Sequence, residues 1–203
     1  MRKYKISGCP QYQIFSTMDD VEQYLKHLGE NYVVKFDGLM GGKGVKVAGE
    51  HLNSHKEAIS YCEEIISNGG KFVIEEKLIG EEFSLMSFCD GINLVHMPPV
   101  QDHKRAYEND TGPNTGGMGS YNDTNQSLPF LTISDVESAQ QINNLIAKAL
   151  ITEFGIGYKG IIYGGFIATA DGVKVIEYNT RLGDPEAMNV LVLLDSDFVE
   201  LCK

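Results

Sequence analysis

Hydrophobic and polar residues alternate on either side of a glycine-rich turn in residues 32–48, and this pattern predicts a β-hairpin. The first arm contains the strand formers Tyr32, Val33 and Val34, and the second arm is VKV. The turn carries four glycines, which permit backbone conformations that side chains forbid: Gly38, Gly41, Gly42 and Gly44.

Apolar residues spaced three to four apart predict three amphipathic helices, each preceded by a capping residue and followed by glycine. Asp19 is the expected cap of the first helix. Ser54 with Glu57, and Ser134 with Glu137, have the spacing of a capping box. The predicted helical spans are 19–29, 54–69 and 134–155, and shorter helices are expected at 187–194 and 198–203.

Further strands are predicted at 71–78, at 83–89 with 92–100, and at 163–170 with 173–179, where Asp90-Gly91 and Asp171-Gly172 supply hairpin turns. Residues 1–18 form a mixed lead-in segment. Residues 101–119 show no periodicity and are expected to be a long loop, ordered or disordered. Antiparallel hairpins and helices together indicate an α+β fold, with a lid lobe at 1–75 and a larger sheet lobe at 76–203.

The composition is that of a globular chain, with 203 residues of which 42% are hydrophobic. The formal net charge of -11 argues against nucleic acid and against an anionic membrane surface as partners. The four cysteines are widely spaced and include no CxxC pair, which is typical of reduced thiols in the cytoplasm. We therefore expect a cytoplasmic protein without a signal peptide or a membrane span.

Two lysines of the glycine hairpin are candidate phosphate ligands. Lys35 ends the first arm and Lys43 lies among the glycines, so two ammonium groups and several backbone N–H groups could meet an anion such as a triphosphate. A Walker loop is excluded because Lys43 is followed by Gly44 and a strand. The alternative is a hairpin with a mobile tip and two solvated lysines.

Glu177 and Asn179 lie two residues apart at the end of a predicted strand, so their side chains face the same side. A carboxylate and an amide oxygen suit Mg²⁺, which needs few protein ligands. The alternative is an exposed strand face with two polar residues.

The turn RLGDPE follows directly and combines Arg181, Asp184, Pro185 and Glu186. Arg181 offers a planar guanidinium to a carboxylate or phosphate, and it joins Lys35 and Lys43 as a candidate catalytic residue. Asp184 and Glu186 could receive an amine. The alternative is a turn whose acidic residues favour the N-terminus of the next helix.

Charged residues also cluster directly after a predicted strand, where loops commonly carry function. They are Asp102, His103, Lys104 and Arg105. Acid–base catalysis by His103 is less favoured than placement of charge, because no activated Ser or Cys nucleophile is recognisable. The glycine-rich stretch after them could close over an anion or an acyl group.

Five strings occur in an order and spacing that resembles the glycinamide ribonucleotide synthetase family, the phosphoribosylamine–glycine ligases of purine biosynthesis. These strings are KFDGLMGGKGV, EEKLIGEE, QDHKR, DTGPNTGGMG and EYNTRLGDPE. The resemblance covers nearly the whole chain after residue 31. It implies an ATP-grasp fold, in which antiparallel sheets and helices form two lobes around a nucleotide cleft.

The resemblance also implies roles for individual residues. ATP contacts would come from Lys35, Lys43, Glu75, Glu76, Lys77, Leu78, Glu82, Arg105 and Asn114, and Glu177 with Asn179 would bind Mg²⁺ or Mn²⁺. Residues around glycine and 5-phosphoribosylamine would be Asp102, His103, Lys104, Thr115, Gly116, Gly117, Met118, Asp184, Pro185 and Glu186. The implied reaction joins the two substrates through glycyl phosphate and gives glycinamide ribonucleotide, ADP and phosphate.

The chain departs from the family pattern at both ends. Family members carry an amino-terminal domain of about a hundred residues and a further carboxy-terminal domain, and neither is recognisable here. The sequence is therefore expected to be the ATP-grasp portion, partnered by the flanking domains of the full-length enzyme. The alternative is an isolated ATP-binding module or truncated fragment without turnover.

Overall fold

The computed structural model describes residues 1–38, 44–109 and 111–203. Contacts divide the chain into a larger unit, Met1–Cys9 with Ile79–Lys203, and a smaller unit, Pro10–Leu78. The lead-in segment is therefore shared between the two units, and the chain passes from the smaller to the larger unit three residues after the predicted boundary. The roles of lid and core stay predictions.

The smaller unit is an antiparallel four-stranded sheet in the order β1-β4-β2-β3 with two helices. Its core contains Leu25, Tyr32, Cys62, Phe72 and Ile74, all nearly inaccessible to solvent. In chain order its elements are β1 Tyr12–Phe15, α1 Val21–Leu28, β2 Tyr32–Phe36, β3 Val45–Val47, α2 His55–Ser67 and β4 Phe72–Glu76.

The predicted glycine hairpin is confirmed in its two arms, because β2 pairs with β3 through Val33 opposite Val47. Its tip, including Lys43, lies outside the described residues. Strand β1 was missed, since its short sequence YQIF lies in a stretch without clear periodicity.

The first two predicted helices are confirmed, with one wrong cap. Asp20, in the left-handed region, precedes α1 without a capping hydrogen bond, while the Asp19 carboxylate accepts from Thr17 instead. Ser54 caps α2 as predicted by accepting from the Glu57 N–H at 3.2 Å. The Glu57 carboxylate does not complete the box at Ser54; it accepts from the Asn53 N–H.

The larger unit contains an antiparallel sheet in the order β10-β9-β5-β6, a separate two-stranded ribbon and one long helix. Apolar residues of this helix, such as Ile142, pack on Phe83, Leu85 and Phe166 of the sheet. Its elements are β5 Gly80–Asp90, β6 Leu94–His96, β7 Gln101–Tyr107, β8 Thr111–Tyr121, α3 Ile133–Phe154, β9 Lys159–Thr169, β10 Gly172–Asn179, α4 Ala187–Leu191 and α5 Phe198–Leu201.

The expected loop at 101–119 is wrong, because this segment forms the ribbon β7–β8. Most residues of β8 are exposed on both faces, so the alternation that marks a half-buried strand is missing. Asp110, in the connection between the two strands, is not described. The pairing of Gln101 with Tyr121 and of Arg105 with Asn114 sets the register.

Several boundaries also differ from the prediction. Helix α3 begins two residues early, because Thr132 rather than Ser134 is the cap and forms a complete capping box with Asp135. The glycine stop at Gly155 is confirmed. Strand β6 is shorter than predicted and β9 begins four residues earlier, at Lys159. No helix of the described ranges has the length and hydrophobicity needed to cross a lipid bilayer.

Candidate functional site

Lys35 lies on β2 beside Glu75 of β4, and the two side chains form an ion pair within the smaller unit. The pair is largely buried, since 25% of the Lys35 side chain and 15% of the Glu75 side chain are exposed. Burial raises the pKa of Glu75, and the Lys35 ammonium offsets part of this rise. The Lys35 ammonium is therefore fixed by its ion pair with Glu75 and is not a solvated surface group.

The predicted hinge residues after Glu75 are tied to the same unit. Glu76 donates its N–H to the Gln11 carbonyl at 2.9 Å and accepts from the Gln11 N–H through its carboxylate. The Lys77 N–H donates to the Asn31 carbonyl, and its ammonium contacts the Ala48 carbonyl at 3.0 Å. These hydrogen bonds fix the strand end that leads to Leu78.

Glu177 and Asn179 have the arrangement that their spacing predicted. The Asn179 Nδ2 donates to the Glu177 Oε1 at 3.0 Å, so both side chains lie together at the end of β10. Across the ladder Glu177 pairs with Gly165 of β9, which adds no side chain of its own. The Asn179 Oδ1 takes no part in this hydrogen bond.

Lys104 of β7 forms ion pairs with two carboxylates of the larger unit. Its Nζ is 3.5 Å from the Asp102 Oδ2 and 4.0 Å from the Glu82 Oε2. Burial lowers the pKa of Lys104, but the carboxylates of Asp102, Glu82 and Glu177 outweigh it, so the net shift is upward. The two ion pairs bring the candidate ribose contact Glu82 beside the candidate substrate residues Asp102 and Lys104, and Glu177 acts on this cluster through its charge.

The donor set suits a hard divalent cation. Glu177 and Asn179 supply two oxygens, and Mg²⁺ commonly completes its shell with water and phosphate. Among the described ranges, no group of three or more His, Cys, Asp or Glu side chains is placed to hold a metal by itself. Two protein oxygens fit an ion of this kind, whose other ligands are water and phosphate.

The turn after β10 is held by a buried tyrosine. Tyr163 of β9 donates from its hydroxyl to the Glu186 Oε1 at 2.6 Å, and only 3% of Glu186 is exposed. Burial first and the Glu186 carboxylate second raise the pKa of Tyr163, so it stays a phenol donor at neutral pH. The Arg181 guanidinium lies over the Tyr163 ring at 5.9 Å.

The same turn contacts the glycine-rich strand β8. A Cβ on Gly117 would lie 2.9 Å from the Pro185 Cδ, and Gly117 has a φ of +131°, which favours glycine. The Gly117 N–H donates to the Thr115 Oγ1, whose hydroxyl donates to the Lys104 carbonyl at 2.9 Å. Gly116 and Met118 flank this contact and are exposed. The predicted substrate segments therefore meet around Gly117, Asp184 and Pro185.

His103 and Arg105 lie on the ribbon and make different contacts. The His103 ring stacks on Tyr121 with centroids 5.8 Å apart and planes 6° apart. Arg105 donates from Nη1 to the Gly112 carbonyl at 3.0 Å and is the ladder partner of Asn114. Both contacts orient side chains on an otherwise exposed strand pair.

Sequence reasoning missed Tyr163 and Gly165 as parts of this site. The pattern assigns Tyr163 only to a strand, and it gives Glu186 as a possible amine ligand, whereas its carboxylate is buried and accepts from Tyr163. The pair Gly164-Gly165 inside a strand was the available signal, because glycine in a strand interior often marks a place where another group approaches closely.

A family model described as the phosphoribosylglycinamide synthetase ATP-grasp (A) domain matches residues 1–187. Phosphoribosylamine–glycine ligase of Methanosarcina barkeri is 54% identical over 201 residues, which cover 99% of this chain and 46% of the relative. The same-named protein of Methanothermobacter thermautotrophicus is 50% identical over 98% of this chain and 47% of its own length. The chain thus spans about half the length of these curated relatives.

Solved structures give the same result. The crystal structure of phosphoribosylamine–glycine ligase from Thermotoga maritima superposes with a TM-score of 0.84 and 33% identity, covering 98% of this chain and 50% of that one. A D-alanyl-alanine synthetase from Vibrio cholerae superposes with a TM-score of 0.69 at 14% identity, over 98% of this chain and 58% of its own, a likeness of fold alone.

Proposed function

Because this chain belongs to the family of phosphoribosylglycinamide synthetase ATP-grasp domains and has the ATP-grasp fold, we propose that it is the nucleotide-binding part of a phosphoribosylamine–glycine ligase. The proposed reaction uses ATP to join glycine to 5-phosphoribosylamine, with ADP and phosphate as the other products. Purine biosynthesis in the cytoplasm is the proposed setting.

One observation carries this proposal. In the larger unit, Lys104 pairs with Asp102 and Glu82 and feels the charge of Glu177, whose carboxylate accepts a hydrogen bond from Asn179. The ammonium group can bind a phosphate, and the oxygen ligands can bind a metal ion that is attached to the same phosphate. The same mixture of charges suits a second substrate that carries both an amine and a carboxylate.

In the first proposed step, the carboxylate of glycine attacks the γ-phosphorus of ATP, which forms glycyl phosphate and releases ADP. Lys35 and Lys43 would offset negative charge on the phosphates, and Arg181 would orient a carboxylate or phosphate with its planar guanidinium. When bound, Mg²⁺ or Mn²⁺ at Glu177 and Asn179 would neutralise phosphate charge.

In the second proposed step, the amino group of 5-phosphoribosylamine attacks the acyl carbon, expels phosphate and loses a proton. Asp102, His103 and Lys104 would surround the substrates together with residues 115–118 and 184–186. No side chain has to act as a nucleophile, so catalysis would rest on positioning and charge.

The remaining nucleotide contacts are proposed on the same basis. Glu82 would accept from ribose hydroxyls, and Arg105 with Asn114 would contact phosphate. Glu75, Glu76, Lys77 and Leu78 would supply the adenine hinge. The N–H groups of Glu76 and Lys77 already donate to carbonyls of the smaller unit. Adenine would therefore have to be bound by other backbone groups of this strand end.

An omission assay tests the proposal. We expect purified chain to form ADP only when ATP, Mg²⁺, glycine and 5-phosphoribosylamine are all present, and glycinamide ribonucleotide to appear in equal amount. ADP formation that follows a different acid or amine would contradict the substrate assignment.

A second function is favoured by the length of the relatives. Since the chain spans about half of each, it could bind ATP without turnover and acquire activity only with the flanking domains. Metal-dependent ATP binding without ADP formation, followed by activity when those domains are added, would identify this case.

A further inference from the structure

We propose that Asn143 is a positioning residue that fixes the metal pair Glu177 and Asn179 by holding Tyr178, the residue between them. This inference rests on the proposed function of the pair. It concerns a group on the opposite side of the sheet, in a helix that contributes none of the predicted site residues.

Asn143 is a fully buried polar side chain in the middle of α3. Its Nδ2 donates to the Leu85 carbonyl at 3.2 Å and to the Ser87 Oγ at 3.3 Å, both on β5. Its Oδ1 accepts from the Tyr178 hydroxyl of β10 at 2.9 Å. One carboxamide therefore connects two strands that are not neighbours, since β9 lies between them.

The connection passes over a glycine. A Cβ on Gly164 of β9 would lie 2.7 Å or less from two atoms of the Phe166 ring and 2.8 Å from the Asn143 Oδ1, which is closer than real Cβ atoms come. Gly164 is also the ladder partner of Tyr178. The absent side chain thus leaves room for the Phe166 ring and for the carboxamide between Tyr178 and the strand β5, and both contacts favour glycine at this position.

The strand that carries the metal pair needs such a connection. The β9–β10 register shifts between Val175 and Glu177, so the backbone ladder is irregular directly before Glu177. Side chains alternate across a strand, so Tyr178 faces the core while Glu177 and Asn179 face the other side. A hydrogen bond that fixes Tyr178 therefore limits how far its two neighbours can turn.

Further contacts hold the anchor itself in place. The Ser87 Oγ is 2.8 Å from the His96 Nδ1, and the His96 Nε2 is 3.1 Å from the Asn144 Nδ2. Two consecutive asparagines of α3 are thereby tied to β5 and β6. Each side chain in this series of hydrogen bonds has a partner. The series is therefore a rigid support for Tyr178.

The test measures binding of Mn²⁺ with ADP by calorimetry, and the electron paramagnetic resonance spectrum of the bound Mn²⁺. Tyr178→Phe removes one hydroxyl, and Asn143→Leu removes the carboxamide at nearly the same volume. We expect each to weaken Mn²⁺ binding about tenfold, the lower end for outer contacts of a metal site. We also expect a broader Mn²⁺ spectrum, because the ligands are less fixed.

Thr169→Val is the matched control. Its hydroxyl donates to the Gly172 carbonyl at 2.7 Å, at the far end of the same β9–β10 pair. The same hydroxyl accepts from the Asp171 N–H at 3.2 Å, so this variant removes two hydrogen bonds from the hairpin turn without touching Tyr178. We expect it to keep the wild-type Mn²⁺ affinity and spectrum even where it lowers stability as much as Tyr178→Phe.

Glu177→Gln separates failure of this inference from failure of the proposed function. If it weakens Mn²⁺ binding while Tyr178→Phe and Asn143→Leu bind like wild type, the positioning role is overturned and the metal pair stands. If wild type does not bind Mn²⁺, or Glu177→Gln changes nothing, the metal pair and the positioning role are both overturned. Tyr178→Phe alone decides if Asn143→Leu does not fold.

Discussion

Lys35 has a structural partner in addition to its proposed phosphate ligand. Its ammonium is the positive charge that offsets burial of the Glu75 carboxylate. Removing one member of a buried ion pair leaves the other charge without compensation. The stability of the smaller unit and its proposed affinity for phosphate would therefore depend on the same side chain.

Lys35→Ala is expected to destabilise the chain by about 1–3 kcal/mol at pH 8, and by much less at pH 4. Without the lysine, the folded-state pKa of Glu75 rises further above its unfolded value. A carboxyl with a raised pKa favours folding at pH values below its unfolded pKa, and this contribution is lost as the pH rises through the folded-state pKa. Urea denaturation at the two pH values measures the difference.

The double variant Lys35→Ala with Glu75→Gln is the control for this prediction. Since it has no ionisable group at position 75, it should regain stability at pH 8 relative to Lys35→Ala. Its loss of stability relative to wild type should also differ less between pH 8 and pH 4. An equal loss for Lys35→Ala at both pH values would contradict the account of Glu75.

Like the ion pair of Lys35 with Glu75, the hydrogen bond of Tyr163 to Glu186 is not predicted by the sequence pattern. Tyr163→Phe leaves the Glu186 carboxylate buried without its hydroxyl donor. We expect a loss of about 1–3 kcal/mol in the free energy of unfolding, and a smaller loss for Glu186→Gln, whose amide oxygen still accepts from Tyr163. Chemical denaturation of both variants measures this order. A Tyr163→Phe variant as stable as wild type would mean that the turn is held by other contacts.

At the scale of elements, capping chemistry can be tested with two neighbouring residues. The structure makes Thr132 the cap of α3, with Asp135 completing the box, whereas the sequence favoured Ser134. Thr132→Ala should cost about 1 kcal/mol, because it removes the acceptor of the Asp135 N–H.

Ser134→Ala should change stability by no more than a few tenths of a kcal/mol, because Ser134 lies inside the first turn of the helix. Thermal unfolding of the two variants compares them directly. A larger loss for Ser134→Ala would reinstate the sequence-based cap.

The elements that the sequence predicted well are those buried on one side. The helices at α1, α2 and α3 and the hairpin β9–β10 have apolar residues at a constant spacing, so the core imposes their pattern. The ribbon β7–β8 has no such pattern, since solvent covers most of its residues. Its structure depends on backbone pairing and on glycines such as Gly117, which hydrophobic periodicity does not register.

In the candidate site, the sequence predicts contacts between residues close together in the chain and not contacts between distant ones. The pairing of Glu177 with Asn179 follows from strand alternation alone, and Lys104 with Asp102 follows from proximity in the chain. The contacts of Glu186 with Tyr163 and of Tyr178 with Asn143 join residues far apart in sequence. Local spacing carries no information about such pairs, so they required the folded structure.

At the scale of the whole molecule, the family and the ATP-grasp fold rest on matches that cover nearly all of this chain. The complete reaction is a proposal, because the relatives are about twice as long. Binding of metal and nucleotide is the part of the proposed function that we assign to the family domain itself. It is therefore the central claim to test.

The most direct measurement is a calorimetric titration of the purified chain with a non-hydrolysable ATP analogue, with and without Mg²⁺, beside Glu177→Gln. We expect wild type to bind the analogue with Mg²⁺, and Glu177→Gln to bind at least tenfold more weakly, since it replaces a charged ligand by a neutral one. Equal binding with and without Mg²⁺, or an unchanged affinity in Glu177→Gln, would contradict the proposed metal–nucleotide site.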